Sequence, residues 1–236
     1  MDTSHEIYHL MIVDRSSSMA CVRDVTIAGF NENLSGMRSD KLAEGITQKV
    51  SLVTFANDVT QDIWNKEITE IPDFNTENYK PQGSTALYDA IGSSVSDLFE
   101  QIREKLSKQD ANVVVTIFTD GEENSSRTWT QAKLMSLISE LRSSRMWTFT
   151  FIGCEENSLN AAKNLGFSAA NTLRYDNTEK GITEAFSKLS SSRSVYNNKI
   201  SSSMSFKYAD ASAYNASLED AQNDFFADDK KDNKTD

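Results

Sequence analysis

The sequence contains little cysteine and little histidine. Its 236 residues include two of each, and both histidines, His5 and His9, lie near the N-terminus. Two cysteines are too few for a scaffold held together by disulfides. Two histidines leave little material for imidazole catalysis or for a zinc site. The composition therefore argues against all three of these classes.

Positive charge and long apolar segments are also scarce. The chain has 24 Lys and Arg against 35 Asp and Glu, a net charge of −11 at pH 7. A general nucleic-acid binder needs a basic face, so this balance argues against one. No apolar run approaches the roughly 20 residues that span a bilayer, and the N-terminus lacks the basic start of a signal peptide. We therefore expect a cytoplasmic protein that binds neither nucleic acid nor membranes.

Short apolar segments, bounded by turn residues, predict the strands of a sheet. Most are continuous rather than alternating, which is typical of strands buried on both faces. One further segment follows an Asn-Asp turn and is predicted to be an antiparallel partner at the sheet edge. The buried strands are predicted at residues 7–13, 50–56, 112–119, 146–153 and 172–175, and the edge strand at 59–64.

Helical patterns lie between these strands. In residues 86–106, apolar side chains recur every three or four positions, as on one face of a helix. Other helices are predicted at 20–37, 128–141, 157–164 and 178–189. This alternation predicts an α/β fold: a doubly wound, mostly parallel, Rossmann-like sheet with helices on both faces and one antiparallel edge strand.

The C-terminal part of the sequence differs in composition. Serine dominates residues 190–205, and residues 219–236 hold seven acidic side chains against three lysines. We therefore predict a domain over residues 1–197 and a flexible extension over 198–236. Phe225 and Phe226 either belong to a solvated terminus or form a short docking motif.

Five oxygen-bearing side chains are predicted to converge at one edge of the sheet. Asp14, Ser16 and Ser18 follow the first strand, Asp120 follows the fourth, and Thr85 precedes the long helix. Parallel strands of such a fold present their carboxyl ends at the ligand-binding edge. Two carboxylates and three hydroxyls form a hard donor set that suits Mg²⁺ or Mn²⁺.

Each part of this set also has a simpler explanation. An Asp after a strand is a common turn former, and Ser84 or Thr85 could cap the helix that follows. The alternation along the first loop predicts that Asp14, Ser16 and Ser18 share one side while Arg15 and Ser17 face away. Capping explains each position alone, whereas a metal site explains the set.

The motifs resemble the metal-ion-dependent adhesion site of the von Willebrand factor A family. D-x-S-x-S follows a central strand, G-S-T-A-L begins the long helix and T-D-G ends a strand, over about residues 5–190. The resemblance implies that Ser16, Ser18 and Thr85 coordinate a divalent cation, with Asp14 and Asp120 bound directly or through water. It also implies a partner protein that offers a Glu or Asp to the metal. The short loops and the missing signal sequence make the chain most similar to intracellular prokaryotic members.

Two alternatives remain open at this stage. The first is a phosphoryl-transfer or hydrolytic enzyme similar to the haloacid-dehalogenase-like phosphatases, although Ser16 stands where their first loop has a second Asp. Glu122 and Glu123 would then be candidate bases, and otherwise part of a solvated turn. The second is a scaffold without metal.

Three further residues lie near the predicted site. Cys21 follows the first loop and Cys154 follows the fifth strand, so both are expected near the same sheet edge. Buried thiols are expected here, because a disulfide is disfavoured in a reducing cytoplasm. Trp129 is predicted to pack in the core, with a partner-facing position as the alternative.

Overall fold

A computed structural model describes residues 4–154 and 156–227. Within these residues, six strands form one sheet in the order β3-β2-β1-β4-β5-β6. All neighbouring strands are parallel except β2 and β3, which are antiparallel. The sheet confirms the predicted fold class. The strands are β1 His5–Asp14, β2 Ile46–Phe55, β3 Val59–Glu67, β4 Ala111–Thr119, β5 Trp147–Gly153 and β6 Thr172–Arg174.

Helices cover both faces of the sheet, as predicted. One apolar core lies between the sheet and α1, α5 and α6, and the other between the sheet and α2, α3 and α4. Every residue of the central strands β1 and β4 is buried, which explains their nearly continuous apolar sequences. The helices are α1 Arg23–Ser39, α2 Leu87–Ser107, α3 Gln131–Ser143, α4 Glu156–Asn164, α5 Glu179–Ser203 and α6 Ala211–Asn223.

The edge strand β3 is the irregular part of the sheet. Its pairing with β2 shifts register between Val50 and Leu52 and again between Leu52 and Val53. Asn65 lies in the left-handed region at φ 50°, and its backbone N–H donates to the Ser51 hydroxyl at 2.9 Å. At this irregularity, one backbone N–H of β3 therefore donates to a side chain instead of to a backbone carbonyl of β2.

The predicted flexible extension is wrong for residues 198–227. Helix α5 continues to Ser203, and α6 follows after a turn. Asp210 caps α6, because its carboxylate accepts the N–H groups of Ser212 and Ala213, both at 3.0 Å. The serine-rich composition predicts a linker. Serine is nevertheless compatible with a helix that is stabilised by packing against the rest of the domain. The acidic residues 228–236 lie outside the described residues.

The two C-terminal phenylalanines are buried rather than solvated. Phe225 and Phe226 are 4% and 9% exposed. The Phe225 ring lies 5.8 Å from that of Tyr196 on α5, and its N–H donates to the Asn171 carboxamide at 3.1 Å. The Gln222 carboxamide of α6 donates to the Trp147 carbonyl at 2.7 Å. These contacts fasten the end of the described chain to its own domain.

The described helices also bear on membrane crossing, which requires a helix that is both long and apolar. Within residues 4–154 and 156–227, no helix combines the length and the apolar character needed to traverse a lipid bilayer.

Candidate metal centre

Two buried aspartates meet where β1 and β4 end. The strands are parallel neighbours, with Val13 opposite Phe118, so Asp14 and Asp120 emerge side by side. Asp14 is 0% exposed and Asp120 is 3% exposed. Burial of two carboxylates at one point is costly unless hydrogen bonds or a cation compensate the charge.

The loop after β1 adds two hydroxyls to these carboxylates. The Ser16 and Ser18 Oγ atoms lie 3.0 Å apart, and the Ser18 hydroxyl donates to Asp120 Oδ1 at 2.7 Å. The Ser16 N–H donates to Asp14 Oδ1 at 2.7 Å. Arg15 turns away, and its guanidinium pairs with Asp58 at 2.8 Å. Ser16 and Ser18 therefore lie on the side of the carboxylates and Arg15 on the other side, as the alternation along the loop predicts.

The loop before α2 brings Thr85 to the same point. A methyl group on Gly121 would lie 3.3 Å from Thr85 Oγ1 and 3.9 Å from Asp14 Oδ2, so all three residues meet there. Gly83 makes this approach possible. It adopts φ 81°, which favours glycine, and its carbonyl accepts the Ser17 N–H at 3.1 Å.

The capping explanation for the hydroxyls does not hold. Helix α2 has Ala86 at its cap position, without a side-chain capping bond. Ser16 precedes a short 3₁₀ helix, Ser17–Val22, and its hydroxyl does not cap it either. Within the described part of the chain, the Thr85 hydroxyl makes no hydrogen bond. Local capping therefore does not account for the positions of these hydroxyls.

The buried charge of Asp14 shows why a cation would be favoured here. Burial raises the pKa of Asp14 from 3.8 to about 6, against hydrogen bonds from Thr119 and Ser16, and the nearby Asp120 charge raises it further. The Thr119 hydroxyl donates to Asp14 Oδ2 at 2.5 Å. Asp14 forms no ion pair with any described residue. A bound cation would compensate this carboxylate.

The donor set fits a hard cation. Neighbouring oxygens around octahedral Mg²⁺ lie about 2.8–3.0 Å apart, because each is about 2.0–2.1 Å from the ion. The Ser16–Ser18 and Ser18–Asp120 oxygen pairs are hydrogen-bonded at 3.0 and 2.7 Å, close enough for all three oxygens to contact one ion. Among the residues that the structure describes, no group of three or more His, Cys, Asp or Glu side chains could hold a metal. Any cation here would therefore rely on hydroxyls as well as carboxylates.

Comparison with known families assigns the fold. The model of the von Willebrand factor type A domain matches residues 10–188. The chain belongs to this family. A search of curated proteins gives no match to this VWA domain.

Solved structures resemble this VWA domain at low sequence identity. Proximal thread matrix protein 1 from the mussel byssus has a TM-score of 0.57 and 16% identity, with 80% of this chain and 46% of that chain covered. The ArnB paralogue VWA2 from Sulfolobus acidocaldarius has a TM-score of 0.50 and 15% identity, covering 78% and 45%. This chain thus spans less than half the length of either protein. At these identities the likeness establishes the fold alone.

Several residues that support the centre were not found from the sequence. The Tyr79 hydroxyl donates to the Asp14 carbonyl at 2.6 Å, and the Asn177 carboxamide approaches Asp120 Oδ2 at 3.5 Å. Thr119, the first residue of T-D-G, donates its hydroxyl to Asp14, a contact that the motif alone does not predict. Tyr79 and Asn177 lie in loops without a local sequence signal, so only the folded chain reveals their contacts.

The two cysteines both lie beside the centre. Cys21 donates to the Ser18 carbonyl at 3.3 Å and Cys154 to the Asp120 carbonyl at 3.2 Å. Cys154 is buried as expected, whereas the expectation of burial is wrong for Cys21, which is exposed.

Trp129 packs against α2. A methyl group on Gly92 would lie 2.1 Å from its indole ring, so Gly92 provides the space for the ring. This contact agrees with the predicted core packing of Trp129.

Proposed function

We propose that this VWA domain is a non-catalytic module that binds a partner protein through a divalent cation. Asp14, Ser16, Ser18, Thr85 and Asp120 would hold Mg²⁺ or Mn²⁺. One observation carries the proposal: hydroxyls that are not used as caps lie together with two buried carboxylates. The oxygens of Ser16, Ser18 and Asp120 are hydrogen-bonded at 2.7–3.0 Å, close enough to contact one ion.

A cation in this centre would supply positive charge to an incoming anionic group. Hydroxyl ligands are neutral, so an ion held partly by hydroxyls retains more of its charge than one held only by carboxylates. Ser18 is exposed, so the centre faces solvent on that side. The chemically matching group on a partner is the carboxylate of a Glu or Asp.

The comparisons support a cation but leave its identity to be measured. A structure of the mussel matrix protein, with a TM-score of 0.55 and 15% identity, has a zinc-occupied MIDAS motif. The all-oxygen donor set of this chain instead favours Mg²⁺ or Mn²⁺. A cytoplasmic location and the likeness to intracellular prokaryotic members stay predictions.

The surroundings of Glu123 favour a binding role over phosphoryl transfer. Its carboxylate accepts hydrogen bonds from the N–H groups of Tyr88, Ser125 and Ser126 and from the Ser126 hydroxyl, at 2.6–2.9 Å. These four hydrogen bonds occupy the acceptor positions of the carboxylate, so none is left to contact a nucleophile. This candidate base is therefore part of the framework.

Titration with Mg²⁺ and Mn²⁺ tests the proposal. We expect wild-type protein to bind at least one ion with millimolar or better affinity in calorimetry, and Ser18→Ala to weaken binding at least about 10-fold. Ser17→Ala is the matched control. Ser17 is exposed in the same loop, and its side chain is predicted to face away from the centre. The affinity of Ser17→Ala for Mg²⁺ and Mn²⁺ should therefore match that of wild type.

Failure of wild-type protein to bind either ion at millimolar concentration would refute the metal-dependent function. A partner interaction that survives chelation would support a metal-free scaffold instead. Turnover of a generic phosphate ester by wild type, absent in Ser18→Ala, would support the enzyme alternative.

A further inference from the structure

The start of α2 lacks the cap that its sequence offers. The first N–H groups of a helix have no partner within the helix, and a preceding Ser or Thr normally accepts one of them. Ser84 and Thr85 stand directly before Ala86, yet no side chain at the cap position is used. The N–H groups of this first turn must therefore find partners elsewhere.

The loop between β4 and α3 supplies these partners. Glu123 Oε2 accepts the Tyr88 N–H at 2.8 Å, and the Ser126 hydroxyl accepts the Asp89 N–H at 3.0 Å. A side chain distant in sequence thus replaces the local cap at each position. Because the loop follows directly from Asp120, it connects the two halves of the metal centre.

Asn124 makes the contact closest to the proposed ligands. Its side-chain Oδ1 accepts the Thr85 N–H at 2.9 Å, and its own N–H donates to the Thr85 carbonyl at 3.0 Å. Both main-chain polar groups of Thr85 are therefore held by one residue. The Thr85 hydroxyl takes no part in this pairing.

A side chain of α2 in turn accepts hydrogen bonds from the main chain of this loop. Asp89, in the first turn of α2, accepts the N–H groups of Arg127, Thr128 and Trp129 at 2.8, 3.0 and 2.7 Å. Capping bonds thus run both ways between α2 and the loop. These bonds hold the loop that carries Asn124 against the first turn of α2.

We propose that Asn124 is a positioning residue of the metal centre. It fixes the Thr85 main chain, so that the Thr85 hydroxyl is spared from capping and is oriented toward the cation. This inference rests on the proposed metal-dependent function. Outer residues that orient metal ligands commonly contribute 10–100-fold in affinity, on the order of what we expect here.

Substitution of Asn124 tests this role. Asn124 is exposed, so Asn124→Ala should fold while losing the acceptor for the Thr85 N–H. We expect its Mg²⁺ affinity in calorimetry to fall about 10-fold or more. Asn124→Asp keeps an acceptor oxygen and should recover most of the affinity. Ser125→Ala is the neighbouring control, because the Ser125 hydroxyl has no hydrogen-bond partner in the described residues.

Amide exchange gives a second readout that needs no metal. In chelated protein, the Thr85 amide should exchange at least about 10-fold faster in Asn124→Ala than in wild type or Ser125→Ala, because its acceptor is gone. Equal Mg²⁺ affinity in wild type and Asn124→Ala would overturn the inference and leave the proposed function intact. Absence of Mg²⁺ and Mn²⁺ binding by wild type would overturn both.

Discussion

Replacing Asp14 with Asn is expected to abolish Mg²⁺ binding while making the metal-free protein more stable at pH 7. Asp14 is fully buried and forms no ion pair with a described residue. Its pKa rises from 3.8 to about 6, because burial penalises the charged form. Since one pKa unit corresponds to about 1.4 kcal/mol, the buried charge costs on the order of 3 kcal/mol at neutral pH.

The direction of the pKa shift of Asp14 determines how the stability of the fold depends on pH. The pKa of Asp14 is higher in the folded protein than its ordinary value of 3.8, so the folded state binds more protons between 3.8 and about 6. The free energy of unfolding therefore falls as the pH rises through this window. The advantage of Asp14→Asn should be greatest at pH 7 and should nearly vanish at pH 4.

Urea unfolding with a chelator, at both pH values, measures this difference. Added Mg²⁺ should then stabilise wild type but not Asp14→Asn, because only the protein that binds the ion gains from mass action. Asp24→Asn serves as the control, because the Asp24 side chain is 77% exposed and its replacement should change stability by less than about 0.5 kcal/mol. Retained Mg²⁺ binding in Asp14→Asn would contradict the assignment of this ligand.

Phe225→Ala is expected to destabilise the fold by about 3–5 kcal/mol, the usual cost of removing a buried aromatic side chain. Phe225 is 4% exposed, and its ring lies 5.0 Å from that of Phe226 and 5.8 Å from that of Tyr196. The cavity would open between α5 and the end of the described chain. Urea denaturation followed by circular dichroism measures the loss.

Phe206 provides the matched control for this prediction. It belongs to the same C-terminal region but is 43% exposed, so Phe206→Ala should cost less than about 0.5 kcal/mol. Equal and small effects of the two substitutions would mean that the C-terminal segment contributes nothing to the fold.

The sheet and its flanking helices could be predicted because their signals are local. Strands such as β4 are buried along their whole length, so an uninterrupted apolar run marks them. Helix α6 had a weaker signal. Its buried face includes Tyr214, Leu218 and Ala221, too few to stand out between serine-rich and acidic segments. Asp210 caps the helix, but an isolated Asp before so weak an apolar pattern does not predict where a helix begins.

The C-terminal half of α5 could not be predicted, because its burial depends on distant partners. Arg193 is 2% exposed and pairs with Asp40 after α1. Asn197 donates to the same Asp40 at 3.0 Å and to Gln48 of β2 at 2.9 Å. These partners lie about 150 residues away in sequence. No local pattern assigns such polar side chains to the interior.

The proposed metal ligands could be predicted more readily than the residues that hold the ligands in place. Asp14, Ser16 and Ser18 follow one strand, so their convergence with Asp120 follows from strand direction. Asn124 and Tyr79 act on main-chain groups of Thr85 and Asp14. Those groups carry no side-chain signature, so such contacts appear only once the loops have packed.

The irregular strand β3 also affects how readily another molecule could pair with the edge of the sheet. A regular edge strand offers a row of unpaired N–H and C=O groups, to which another molecule can add a strand. The shifted register of β3 and the left-handed Asn65 interrupt that row, and Lys66 and Glu67 keep charge exposed there. The opposite edge, β6, is only three residues long. Among the described residues, both edges of the sheet are therefore poor templates for strand addition by another molecule.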